Sequence, residues 1–461
     1  MTMLRHLLKR QFVEDLTSFR FSMYAILVLS GIVAFAFAFS GLHRDRLDQF
    51  SRSVGENERQ LRASAASFVS LIRESQQTLG MEPRAARFIA DGRESQMPRS
   101  LSVSVPGIRL KAEADDPATA ILSAPDLTSL IQIVFSFFAL VLTFNAISAE
   151  RERGTLRLVL SNRVTRSEVL LTKYSGALVT IAIPLVMGLI LGFMILYFGG
   201  IPVFSGGFLI PSILFLAISL FYLSFFILLG LFCSIAGKSS KNSLVLGLLA
   251  WVFIVIILPK AASPLLGLDR FSVPTANAIY DEERLAERAV WDGHKGENLV
   301  TGSPDAESTK LNVRVMNEAA QARQRIRDLY LDKKLHAVRA LMTVNCISPA
   351  AILEYASSAA AGTGLAHFDR FRLQIERYRD ELVNFYRAQD LKDPASPHLV
   401  FHPDYVSKKA VAFESIPRFK EQEPGLAGRI KDAAVYGAGL ILYNIIMFGL
   451  VFVLFQKYDV R

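Results

Sequence analysis

Residues 127–161 read LTSLIQIVFSFFALVLTFNAISAERERGTLRLVLS. From Leu127 to Ala149 no side chain is ionisable. At about 1.5 Å of helical rise per residue that block is about 35 Å long, enough to cross a hydrocarbon layer of about 30 Å. Charge then arrives at once: Glu150, Arg151, Glu152, Arg153 and Arg157. A soluble amphipathic helix interleaves its charges with its apolar positions. This segment separates them, as a helix leaving a membrane does.

Working outward, five more blocks pass the same test: Phe21–Leu42, Tyr174–Phe198, Phe208–Ala236, Ser243–Pro259 and Ala433–Phe455. The fifth in chain order, 243–259, is short and predicts a tilted helix or one continuing past Pro259. Leu341–Ala361 is a weaker candidate, because Asn345, Pro349 and Glu354 interrupt it and charge at mid-bilayer is costly. The first block follows no cleavable leader pattern and reads as a retained span. The 461 residues are 51% hydrophobic, and that content sits in blocks. The expected fold class is an all-α membrane protein with six transmembrane helices.

Charge sets the direction. Residues 1–20, 150–173, 237–242 and 456–461 hold 14 Lys+Arg against 6 Asp+Glu. Residues 43–126 hold 12 of each, and residues 260–432 hold 25 against 24. Almost all of the net charge of +9 therefore falls on one side, as the positive-inside rule requires of short loops. Both termini are expected in the cytosol, with 43–126 and 260–432 outside. The basic balance reports topology, which argues against nucleic acid as a partner. Before the first span, Leu4, Leu7, Leu8, Phe12, Leu16 and Phe19 recur at helical spacing. They predict an interfacial helix over 1–20 lying on membrane lipids.

The outer segments read as mainly helical. Arg44–Leu79 keeps one apolar face, and Leu101–Lys111 suggests a short strand pair around Pro106–Gly107. Ile279–Trp291, Lys310–Met342 and His367–Leu391 carry apolar residues at three- and four-residue spacing. In the last, Phe368, Phe371, Leu373, Ile375, Tyr378, Leu382, Phe385 and Tyr386 form a wide face that predicts burial against partner helices. Prolines from Pro394 to Pro424 predict loop before the last span.

Few residues suggest chemistry. Gly237-Lys238-Ser239 mimics a phosphate loop, but that motif needs glycine where Phe232 stands and a strand before it. His398 and His402, with Asp404 nearby, have helical metal spacing, yet Pro397 and Pro403 bound the segment, so surface histidines are the simpler reading. Cys233 and Cys346 read as unpaired thiols. Gly188 and Gly192 form a GxxxG suited to close helix packing. Pro184 and Pro211 are expected to kink or begin helices, and Asn145 and Asn444 to bond across helices.

The run Glu150 to Leu156, Glu-x-Glu-x-Gly-Thr-Leu, resembles the hallmark of ABC-2 type permeases, the membrane subunits of bacterial ABC exporters. Ser161-Asn162-Arg163-Val164-Thr165-Arg166 with Lys173 is similar to the family's continuation. It departs at Arg163, where proline is common, and at Thr172, where glycine is. The resemblance implies that Glu150, Arg151, Glu152, Arg153, Gly154, Thr155, Leu156 and Arg157 form a coupling helix on the ATPase subunit. It implies no bound cofactor here, since ATP-Mg belongs to a dimer of that partner, and no enzymatic activity of this chain. A second permease copy or a related permease would complete the assembly in the bacterial inner membrane. Ser348-Pro349-Ala350-Ala351, Gly362-Thr363-Gly364, Phe368, Phe371, Glu376-Arg377-Tyr378-Arg379 and Leu382-Val383 resemble a subgroup with a large extracytoplasmic domain between the fifth and sixth spans. The function implied is export or extraction of a substrate. The alternatives are force transmission to an extracytoplasmic partner and a sensor with a helical outer domain.

Overall fold

The computed structural model describes residues 12–13, 16–74, 76–92, 100–104, 107–110, 126–161, 164–260, 276–297, 306–396, 398, 406–423 and 425–458. The interfacial helix expected over 1–20 falls largely outside them, as do His402 and Asp404.

Six helices are long and apolar enough to cross a membrane. They are α1 (Phe19–Ser64), α3 (Leu127–Glu152), α5 (Arg166–Phe198), α6 (Gly206–Ala236), α7 (Ser240–Lys260) and α12 (Leu426–Gln456). Between α1 and α3 lie α2 (Phe68–Glu74) and the strands β1 (Gln77–Gly80), β2 (Ser100–Ser104) and β3 (Gly107–Leu110). The short helix α4 (Thr155–Ser161) follows α3. Between α7 and α12 come α8 (Ala276–Gly293), α9 (Ala306–Asn345), α10 (Pro349–Ala361) and α11 (Leu365–Asp390). The chain is an all-α membrane protein with one small antiparallel sheet ordered β1-β2-β3 among the described residues.

Helix α1 buries Tyr24, Val28, Ile32, Ala36 and Phe39, a stripe at near four-residue spacing that packs on α5. The GxxxG pair makes that approach close. A Cβ on Gly188 would lie 2.3 Å from Ile32 Cδ1, and one on Gly192 would lie 3.3 Å from Ile32 Cγ2. Helix α6 is the centre of the bundle and packs against α3, α5, α7, α10 and α12. Asn444 of α12 accepts from Ser224 Oγ of α6 at 2.6 Å and donates to the Phe221 carbonyl at 2.8 Å. That is the interhelical bond expected of it. Asn145, in a turn of α3, also bonds across helices, accepting from Arg20 of α1 at 3.4 Å.

The expected helix over 44–79 is corrected in part. Helix α1 runs on to Ser64, breaks at 65–67 and resumes as α2, but Gln77–Gly80 is strand β1. Residue Leu79 pairs with Leu101 of β2, and both side chains are buried in a shared core. Tertiary pairing overrides the helical pattern there. The β2–β3 pair is the one expected around Pro106–Gly107, with Ser104 opposite Gly107.

The two long segments, between α1 and α3 and between α7 and α12, share one core. Leu61, Phe68, Leu71, Leu101 and Val103 share a core with Leu331, Leu335, Phe368, Phe371, Ile375, Tyr378, Leu382 and Tyr386. Leu373, counted in the apolar face of α11, is 46% exposed. The backbone joins as well: Phe68 N–H donates to the Lys409 carbonyl and Val411 N–H to that of Ala65.

Helix α10 is too short to span, yet it packs on α6 and α12 within the bundle. Just before it, Ser348 Oγ donates to the Ile254 carbonyl of α7 and Tyr443 Oη of α12 to that of Ile347. Tyr443 lies eleven residues, about 16 Å, along α12 from Asp432. The α9–α10 turn therefore sits well along the apolar length of α12. Non-helical backbone survives there because neighbouring helices satisfy it.

Candidate functional site

The stretch 144–161 is shaped by satisfied backbone groups. At the turn in α3, Ser234 Oγ of α6 accepts the N–H of Ile147 at 2.9 Å and of Ser148 at 3.0 Å. Helix then resumes to Glu152. Gly154 has φ +72°, a left-handed conformation that glycine adopts without strain, and it turns the chain into α4. Thr155 Oγ1 donates back to the Glu150 carbonyl.

Three residues of the charged run are held by the chain itself. Glu150 accepts from Lys173 Nζ of α5 at 2.5 Å. The Glu152 carboxylate accepts the backbone N–H of Ser240 at 2.9 Å and its hydroxyl at 2.6 Å, which gives the start of α7 an acidic acceptor for one of its orphan donors. Arg151 donates to Tyr458 Oη at 3.1 Å and lies over that ring at 5.3 Å, a cation–π arrangement. Leu156 is 1% exposed and plugs α4 onto the bundle.

The rest of the run faces outward. Arg153, Gly154, Thr155 and Arg157 are exposed, and Leu158 is 67% exposed. The surface is basic with an apolar knob, a combination suited to docking on another protein.

Arg166 closes this end of the bundle. Its Nη1 donates to the carbonyls of Phe455, Gln456 and Tyr458 at 3.1, 2.5 and 3.0 Å. Those carbonyls lie at the C-terminus of α12, where a cation is favoured. Helix α5 starts at Arg166 behind a capping box of Thr165 and Glu168, eight residues before the apolar block at Tyr174.

Sequence reasoning named every residue from Glu150 to Arg157 but not Ser234, Ser240 or Tyr458. Ser239-Ser240 after Gly237 is a readable helix start; which acid would meet it is not written locally. Gly237-Lys238-Ser239 is the tight link between α6 and α7, where Ser239 caps α7. His398 Nδ1 lies 3.1 Å from Asp390 Oδ2. Among the described residues no group of three His, Cys, Asp or Glu side chains is placed to hold a metal.

The profile of the ABC-2 family transporter protein matches residues 8–460. No curated protein is matched by the chain. A match over nearly the whole length, on a chain with six candidate spans, shows the family: the chain belongs to the ABC-2 family transporter proteins, a family of ABC transporter membrane components without an ATPase of their own.

Proposed function

We propose that this chain is the permease subunit of an ABC exporter and takes its power stroke through α4. The reading rests on one observation: Glu150, Arg151 and Glu152 are fastened to α5, α7 and Tyr458, while Arg153, Arg157 and Leu158 face outward. A lever needs one end anchored and one end presented. Movement of α4 would pull on α5 and α7 together. It can transmit only the difference in contact energy between two states. The ATPase surface that fits is acidic around an apolar socket. In this reading both termini and α4 are cytosolic, the membrane is the bacterial inner membrane, and two permease copies sit on an ATPase dimer that binds ATP-Mg.

The test is co-purification of the ATPase subunit with the chain, followed by ATP-dependent movement of candidate substrates in vesicles. Loss of both on L158D, with insertion intact, supports the reading. Normal assembly and transport in that variant would remove α4 as the lever.

A second reading has support of its own. Leu61, Phe68, Leu101 and Val103 share one core with Leu331, Phe371, Tyr386 and Ile416, and α1 runs from it into the bundle. That construction suits passing force to an extracytoplasmic partner without moving a substrate. ATPase activity that rises only when an outer partner is added would favour it.

A further inference from the structure

A groove of about 860 Å³ opens between α10, α12 and the end of α9, at the end of the bundle away from α4. Its floor along α12 is Val435, Gly439, Leu442 and Ile446, positions repeating every three or four residues on one helix face. The opposite wall is Ile352, Tyr355 and Ala359 of α10. Val435, Leu442 and Ile446 are 70%, 58% and 50% exposed, so the groove is open along its length to whatever surrounds the bundle.

One end of the groove is polar. Arg339 pairs with Asp369, and Arg370 Nη1 donates to Asp432 Oδ2 at 3.1 Å. All four residues line the groove. Arg370 Nε is buried and lacks a hydrogen-bond partner. From Asp432 to Ile446 the groove follows α12 for about 21 Å. That is long enough for extended alkyl chains lying along the helix.

We propose that this groove binds a phospholipid whose head group carries both a phosphate and an amine. The polar end presents two cations and two carboxylates, so its net charge is zero. A phosphate would take the guanidinium forks and the amine would take Asp369 and Asp432. The acyl chains lie along α12 with one side open to neighbouring lipid. The site is in the leaflet opposite α4. It stands whether or not the protein moves the bound lipid.

The test uses the full chain in nanodiscs containing a phosphatidylethanolamine with a mid-chain photoreactive group. Cross-linked peptides are mapped without ATP or an ATPase subunit, so the result does not depend on the transport reading. Label is expected on α10 and α12, lost in L442W and kept in I445W, because Ile445 is equally apolar, 63% exposed and outside the groove. R339Q/R370Q is expected to weaken labelling about tenfold, the loss of charge-assisted hydrogen bonds. Because that variant could misfold, L442W is the deciding one, with thermal melting as its folding control. Equal labelling of L442W and the native chain overturns the proposal. Stronger groove labelling by phosphatidylglycerol than by phosphatidylethanolamine overturns the head-group assignment.

Discussion

Glu150, near the end of α3, holds Lys173, two turns into α5, at 2.5 Å, and both side chains are largely shielded from solvent. The carboxylate that looks most like a partner-facing charge is thus a brace within the chain. E150Q is expected to cost about 1–3 kcal/mol, as removal of one half of a charge-assisted bond does. Lys173→Met should do the same, and the double variant should cost less than the two added together. Thermal melting of the purified chain reads all three. Additive losses would show that the brace carries no coupling energy.

The outward face should respond differently. L158D is expected to leave melting unchanged, since Leu158 is 67% exposed, and to cut ATPase co-purification about tenfold or more, as loss of an interface anchor does. Charge reversal at Glu150 and Glu152 should lower co-purification and melting together, since those residues orient α4. A reversal variant that melts normally yet sheds the ATPase would place both carboxylates at the interface after all.

Gly188 gives a packing test. A Cβ at this position would stand 2.3 Å from Ile32 Cδ1, so G188V should destabilise the chain by about 1–3 kcal/mol, the range for overpacking. Shortening the opposing side chain in G188V/I32A should recover part of that loss. No recovery would mean that α1 and α5 are held apart by something other than this contact.

The unit formed by the two long segments carries buried charge at Glu421, and its acid response follows. Glu421 Oε1 accepts from Arg84 Nη2 at 2.7 Å and from His367 Nε2 at 2.6 Å, while Oε2 accepts the Glu82 N–H. Burial raises the carboxyl pKa, but His367, Arg84 and the Glu82 N–H outweigh it and leave it lowered. Glu423 and Arg429 stand beside the pair. A depressed carboxyl contributes stability above its unfolded pKa of about 4.3 and loses it as pH falls through the lower folded value. Protease access to residues 406–423 should therefore rise below about pH 4 in the native chain. E421Q should show raised access already at neutral pH and a flatter acid profile.

The spans were legible because lipid demands uninterrupted apolar length, which one sequence displays. The outward amphipathic helices were legible for the same local reason: Phe368, Phe371, Ile375 and Leu382 mark a face wherever it packs. What the face packs on is non-local. Nothing near Leu101 says that it shares a core with Phe371, so the two outer segments read as separate domains. Helix α10 was hard to read because its support comes from α6, α7 and α12; Asn345 interrupts the apolar pattern, and its Nδ2 donates to Tyr355 Oη at 3.3 Å while its Oδ1 is buried without a partner. In the charged run the partners within the chain were not legible: the acceptor role of Glu152 depends on Ser240, 88 positions away.

Helix α1 is continuous for 46 residues, about 69 Å of rod, of which a bilayer hides less than half. A tilt of about 5° about its inner end would sweep the outer end through about 6 Å over that length. Because Leu61 at the far tip is embedded in the outer core, the sweep is not dissipated in a loop. A small rocking beneath the lipid becomes a side-chain-sized displacement well above it, and stiffness alone sets the gearing.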